Sequence, residues 1–130
     1  MPEQDRVIQI RRPYLDLIAD GTKTIEVRVG YPSMRRIHPG QALVFESGGA
    51  RCRTQVVKVA EYSTFEAMFD AEDNEAIGSE GMNRDELLSA CREIYPPEKE
   101  ALGVLAIHLR LAPAPADDRG GEQAAARAEI

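Results

Sequence analysis

Apolar and polar residues change rhythm along the chain in a way that outlines its elements. Val7-Ile8-Gln9-Ile10 is a short β-type run ending at Arg11-Arg12. Pro13 suits the first turn of a helix, Tyr14, Leu15, Leu17 and Ile18 give that helix an apolar face, and Gly21 stops it. From Lys23 to Val29 the period drops to two. Ile25, Val27 and Val29 point one way and Thr24, Glu26 and Arg28 the other, which predicts a half-buried strand with a charged face. Gly30 to Gly40 is a loop, and Ala42-Leu43-Val44-Phe45 resumes the sheet. Ser47-Gly48-Gly49-Ala50 signals a hairpin into a second alternating strand over Arg51 to Ala60, with Val57 and Val59 among its β-branched residues.

The second half reads mostly as helices. Ser63 with Glu66 three residues on has the form of a capping box, predicting a helix from about Thr64 to Asp70. Residues 71–82 are acidic and glycine-containing, a loop with room for a short helical turn. Asn83 and Glu86 repeat the capping pattern, and Leu87, Leu88, Cys91 and Ile94 form the buried stripe of a helix that stops at Tyr95-Pro96-Pro97. Gly103 to Leu111 is a closing strand. About five strands and three helices, with hairpin connections, predict an α+β fold: a small, mostly antiparallel sheet curled into a barrel.

Composition limits what such a domain does. The chain has 130 residues, enough for one domain, and residues 113–130 carry one large aliphatic side chain, Ile130, and no aromatic. That stretch cannot repay the entropy of ordering, so the folded domain is expected over 1–112 and a disordered tail over 113–130. No apolar run approaches the ~20 residues that span a membrane, and nothing at the N-terminus reads as a signal peptide. With Cys52 and Cys91 as thiols far apart, a cytoplasmic protein is the expectation. Neither those cysteines nor His38 and His108 fall at metal-ligand spacing, and no motif implies a cofactor. The net charge of −6 argues against coating nucleic acid by bulk attraction. The charge is uneven, however: residues 1–60 hold ten Lys/Arg against six Asp/Glu, and residues 61–112 hold four against twelve. A basic surface built by the first half fits that asymmetry, as do two oppositely charged solvated faces.

The densest chemistry lies in Gly21-Thr22-Lys23-Thr24-Ile25-Glu26-Val27-Arg28. Glu26 and Arg28 are two apart on a strand, so they share a face and can pair. A lysine at the strand entrance can hold an anion, or act as a base if buried. Arg35 and Arg36 in the following loop are natural phosphate contacts, with Arg51 and Arg53 extending the basic side. Tyr14, Tyr31 and Phe45 are candidates for stacking on a base. Tyr95, followed by two prolines, reads as a packed helix end.

This segment resembles the Gly-x-Lys-x-x-Glu-x-Arg motif of the ASCH domain, a family related to PUA domains. Four further blocks follow in the family's order: Arg36 to Leu43, Val56 to Phe65 with its Tyr-Ser-x-Phe helix start, Asp85 to Pro96 ending in Ile-Tyr-Pro, and Gly103 to Ile107. The resemblance covers about residues 7–111. It implies a PUA-like barrel with a cleft lined by the motif, and a partner that is RNA or a modified nucleoside or nucleotide. Gly21, Lys23, Glu26, Arg28, Arg35 and Arg36 would then be ligand-binding, with no metal.

One branch of the family resembles small amidohydrolases that deacetylate N4-acetylcytidine. Lys23 matches that branch's lysine, and Glu80 matches the glutamate shortly before its long helix. The branch's threonine nucleophile has no counterpart, because Glu26 occupies that strand position and Thr24 lies two residues earlier. Were the chain an enzyme, Lys23, Glu26 and Glu80 would be its catalytic set, with Glu26 directing a water at an amide carbon. Alternatively Glu26 pairs with Lys23 or Arg28 and keeps the lysine idle as a base, which suits a binding module. No catalytic set for a ribonuclease stands out.

Overall fold

A computed structural model describes residues 5–79 and 81–112. In chain order the elements are β1 (Arg6–Gln9), α1 (Arg12–Ala19), β2 (Ile25–Val29), β3 (Ala42–Ser47), β4 (Ala50–Tyr62), α2 (Phe65–Ala71), α3 (Asn74–Ile77), α4 (Arg84–Ile94), α5 (Pro97–Glu100) and β5 (Val104–Leu111). A 3-10 turn at Met34–Arg36 interrupts the loop after β2. The α+β reading stands, with five strands and two short helical turns beyond the three helices expected. The segment 113–130, expected to be a disordered tail, lies outside the described residues.

The strands form one sheet in the order β1-β3-β4-β5-β2, curled into an open half-barrel. Three of its pairings are antiparallel, but β1 runs parallel to β3, with Val7 opposite Val44. Helix α1 carries the chain away from β1, so β1 does not pair with the next strand, β2. Consequently β1 and β2 are the two edges. A side chain links them: Arg28 Nη2 donates to the Gln9 carbonyl at 3.0 Å.

Strand β5 shows why its sequence is an almost continuous apolar run. Leu105, Ile107 and Leu109 pack into a core with Ile8, Ile18 and Phe45, while Val104 and Ala106 pack on the other face with Phe65, Met68 and Leu87. A strand buried on both faces has no polar phase. The long strand β4 departs from strict alternation at Val57, where a bulge breaks the pairing between Val56 and Lys58 and leaves Val57 52% exposed.

Helix boundaries follow packing. Asn83 and Glu86 form the reciprocal capping box at the start of α4. At α2 the cap is Thr64 and not Ser63: its hydroxyl accepts from Ala67 N at 3.0 Å, and Glu100 accepts from Phe65 N at 2.8 Å. That phase turns Phe65, Met68 and Phe69 into the core. Pro97 does not only stop α4. It also opens α5, because its fixed φ suits a first helical turn.

Candidate functional site

The motif strand forms one wall of a cleft of about 470 Å³. Opposite it stand α3 and α4, and Gln9, Ile10 and Arg11 close the end where β1 passes into α1. Most of the lining is apolar, including Phe69, Ile77, Met82, Leu87 and Ile94. The polar groups collect on the β2 side.

There Lys23 is 5% exposed and Glu26 6% exposed. Gly21 ends α1 at φ +88°, and the chain turns so that Lys23 enters beneath α3. Lys23 Nζ donates to the Ile25 and Ile77 carbonyls, each at 2.7 Å, and lies 3.1 Å from Glu26 Oε1. Its cation also sits 5.7 Å from the centre of the Tyr14 ring. The other carboxylate oxygen, Glu26 Oε2, accepts from Arg28 Nε at 2.6 Å. Arg28 therefore bridges the Glu26 carboxylate and the β1 edge, and its Nη1 meets no hydrogen-bond acceptor among the described residues.

This is a chain of charges, plus–minus–plus, set into an apolar wall. An ammonium offers three N–H donors and no lone pair. Around Lys23 two carbonyls accept from the ammonium, and the Glu26 carboxylate pairs with its charge. Among the described lining residues, Lys23 and Arg28 against Glu26 leave one positive charge in excess, and Arg11 at the mouth adds another, its guanidinium 5.8 Å from the Tyr14 ring.

Two other lining groups are titratable. Tyr95 stacks on Phe65 with ring centres 5.9 Å apart, and burial raises its phenol. Cys91 lies on the α4 side, where burial and then the Glu100 charge push its thiol up to about 11. It is a neutral, poorly nucleophilic thiol at neutral pH.

A family profile described as the ASCH domain matches residues 8–113. The chain belongs to the ASCH domain family. Among solved structures, this ASCH domain is similar to the hypothetical protein PH0355, at 29% identity and a TM-score of 0.77, over 84% of this chain and 100% of that one. It is also similar to PF0455 from Pyrococcus furiosus, at 28% identity and 0.70, over 83% and 97%. An ASCH protein of Zymomonas mobilis shares the fold at 16% identity and 0.56, over 82% and 66%. No match is found among curated proteins.

Of the residues singled out in the sequence, Tyr14, Lys23, Glu26 and Arg28 meet in the cleft. Gly21 borders a smaller cavity of about 160 Å³ together with Thr24, on the far side of Lys23. Arg35 does not reach the cleft. Its guanidinium clamps Glu61 through two bonds of 2.9 and 2.7 Å and reaches the Gly30 and Leu102 carbonyls. Arg36 is exposed on the 3-10 turn, away from the cleft. Arg51 pairs with Glu46, and Arg53 with Asp5. Phe45 is 0% exposed in the core, and Tyr31 packs under Lys99. Glu80 lies outside the described residues. Conversely Tyr95, expected to be only a packed helix end, lines the cleft. Its place depends on α4 packing against α2 and facing β2 across the cleft, and no local pattern carries that.

Proposed function

We propose that the cleft binds a nucleoside-type ligand, free or as part of an RNA strand, and holds it without hydrolysing it. The observation that carries this reading is the environment of Lys23. A lysine that activates a nucleophile needs a free lone pair on Nζ. Here Nζ is held by two carbonyls and a carboxylate at 2.7 to 3.1 Å. Glu26 is equally committed, gripped between Lys23 and Arg28, so it is a poor base for a water. The excess positive charge and the Arg28 Nη1 donor suit a ligand rich in carbonyl or phosphate oxygens, and the apolar walls with Tyr14 and Tyr95 suit a flat ring.

The test is a pair of assays on the full chain. Titration with a short single-stranded RNA at two salt concentrations should give binding that weakens as salt rises, because phosphate contacts release counterions. Arg28→Ala should weaken it further. In parallel, N4-acetylcytidine should remain intact over a long incubation. Turnover that vanishes in Lys23→Ala would overturn the binding reading in favour of an amidohydrolase.

A further inference from the structure

Strand β2 is an edge, hydrogen-bonded on one side only, to β5. The ladder fixes which way each backbone group points. Leu109 N donates to the Thr24 carbonyl at 2.8 Å, and Gly30 N donates to the Gly103 carbonyl at 2.9 Å. In an antiparallel pair these bonded positions alternate with unbonded ones, so Glu26 and Arg28 turn their N–H and C=O toward β5. Ile25, Val27 and Val29 turn theirs toward the free edge.

At two of those three residues the carbonyl is already occupied. Lys23 Nζ donates to the Ile25 carbonyl at 2.7 Å, and Tyr31 N donates to the Val29 carbonyl at 2.8 Å. Val27 alone presents an N–H and a C=O together, and it lines the cleft. No described residue bonds to either group. A backbone donor and acceptor left unpaired in a half-buried, largely apolar wall cost free energy until something hydrogen-bonds to both.

The form of the opening restricts what that is. An added β-strand would need the outward carbonyls of Ile25 and Val29 as well, and both are taken. A single planar ring with an acceptor beside an N–H donor needs only the Val27 couple. Every nucleobase carries such a pair on the edge it uses for base pairing, and single-stranded RNA exposes that edge to proteins. We infer that the Val27 main chain reads the pairing edge of one unpaired nucleobase, so that the cleft accepts a base from a free nucleotide or a single strand and refuses one already in a duplex. This rests on the nucleoside-binding reading above and names the group that would set its selectivity.

The experiment is an amide NMR titration of the full-length protein. The probes are the four ribonucleoside 5′-monophosphates and their ring-methylated forms, 3-methyl for uridine and cytidine and 1-methyl for adenosine and guanosine. A five-nucleotide single strand and the same sequence annealed into a duplex form the second arm. The Val27 amide proton should move downfield with at least one unmethylated monophosphate, and methylation should weaken that binding about tenfold to a hundredfold. If the monophosphates alone shift Val27, the ligand is a free nucleotide. If the single strand shifts it at lower concentration and the duplex does not, the source is RNA. Binding that perturbs Tyr14 and Tyr95 but leaves Val27 unmoved, with methylated forms bound equally well, would overturn the inference and leave the binding function standing. No cleft resonance moving with any probe would overturn both.

Discussion

Lys23 Nζ and Glu26 Oε1 lie 3.1 Å apart at the entrance to β2, with both side chains buried. The pair is part of the wall of the cleft and part of its scaffold, because the same ammonium ties β2 to α3 through the Ile77 carbonyl. Removing one member leaves the other charge buried with less compensation. Lys23→Met is expected to cost about 3–5 kcal/mol. In the double variant with Glu26→Gln the loss should fall well short of the sum of the two single losses. Urea unfolding of the four proteins measures the coupling. Additive losses would mean that the two groups act independently.

Gly30 sits where three segments converge. A Cβ there would lie 2.7 Å from the Leu102 carbonyl oxygen and 2.8 Å from Arg35 Nη2. The guanidinium cannot swing aside without giving up Glu61 and two carbonyls. Gly30→Ala should therefore destabilise by about 1–3 kcal/mol through overpacking. Gly49→Ala, which meets nothing within 4 Å, should stay within about 0.5 kcal/mol of the parent. Thermal melts of both variants decide it.

Tyr62 donates to Glu72 Oε2 at 2.6 Å. Burial pulls the Glu72 carboxyl upward, but the bond from Tyr62 and the nearness of His108 and Lys58 outweigh it and hold the group below its ordinary 4.5. A carboxyl lowered by folding adds stability above pH 4.5 and loses that contribution as pH falls through its folded value. Tyr62→Phe should thus be less stable at pH 7, with the gap narrowing through the acid range. The Tyr62 phenol, pushed up to about 12 mainly by the same bond, should ionise later than a free tyrosine in an ultraviolet titration, and Glu72→Gln should bring it back down.

Cys91 lines the cleft as a neutral thiol, its pKa raised to about 11 by burial and by Glu100. At pH 8 roughly one part in a thousand is thiolate. Iodoacetamide should leave Cys91 unmodified at pH 8 while an exposed cysteine peptide is consumed, and labelling should climb as pH nears 11. Mass spectrometry after digestion reads the site directly. Rapid labelling at pH 8 would contradict a raised thiol at this half-buried position.

Local signals fixed much of this protein. The Asn83–Glu86 box needs only residues three apart, so it was legible from the chain and the structure contains it. The period-two pattern of β2 likewise put Glu26 and Arg28 on one face, and they pair at 2.6 Å. The motif residues Lys23, Glu26 and Arg28 and their meeting in one place follow from the same short stretch.

Long-range packing decided the rest. Ser63 and Thr64 are both able caps, and only the need to bury Phe65, Met68 and Phe69 selects Thr64. Arg35 was as plausible a phosphate contact as Arg28 until the fold brought Glu61, 26 residues away, against its guanidinium. Tyr95 joined the cleft because α4 packs against α2 and stands across the cleft from β2. Backbone direction at Val27 depends on register with β5, about 80 residues later, and strand pairing at that separation leaves no trace in local sequence. Side-chain type and periodicity are properties of neighbours along the chain. Which charges are neutralised, and which edge stays open, are properties of neighbours in space.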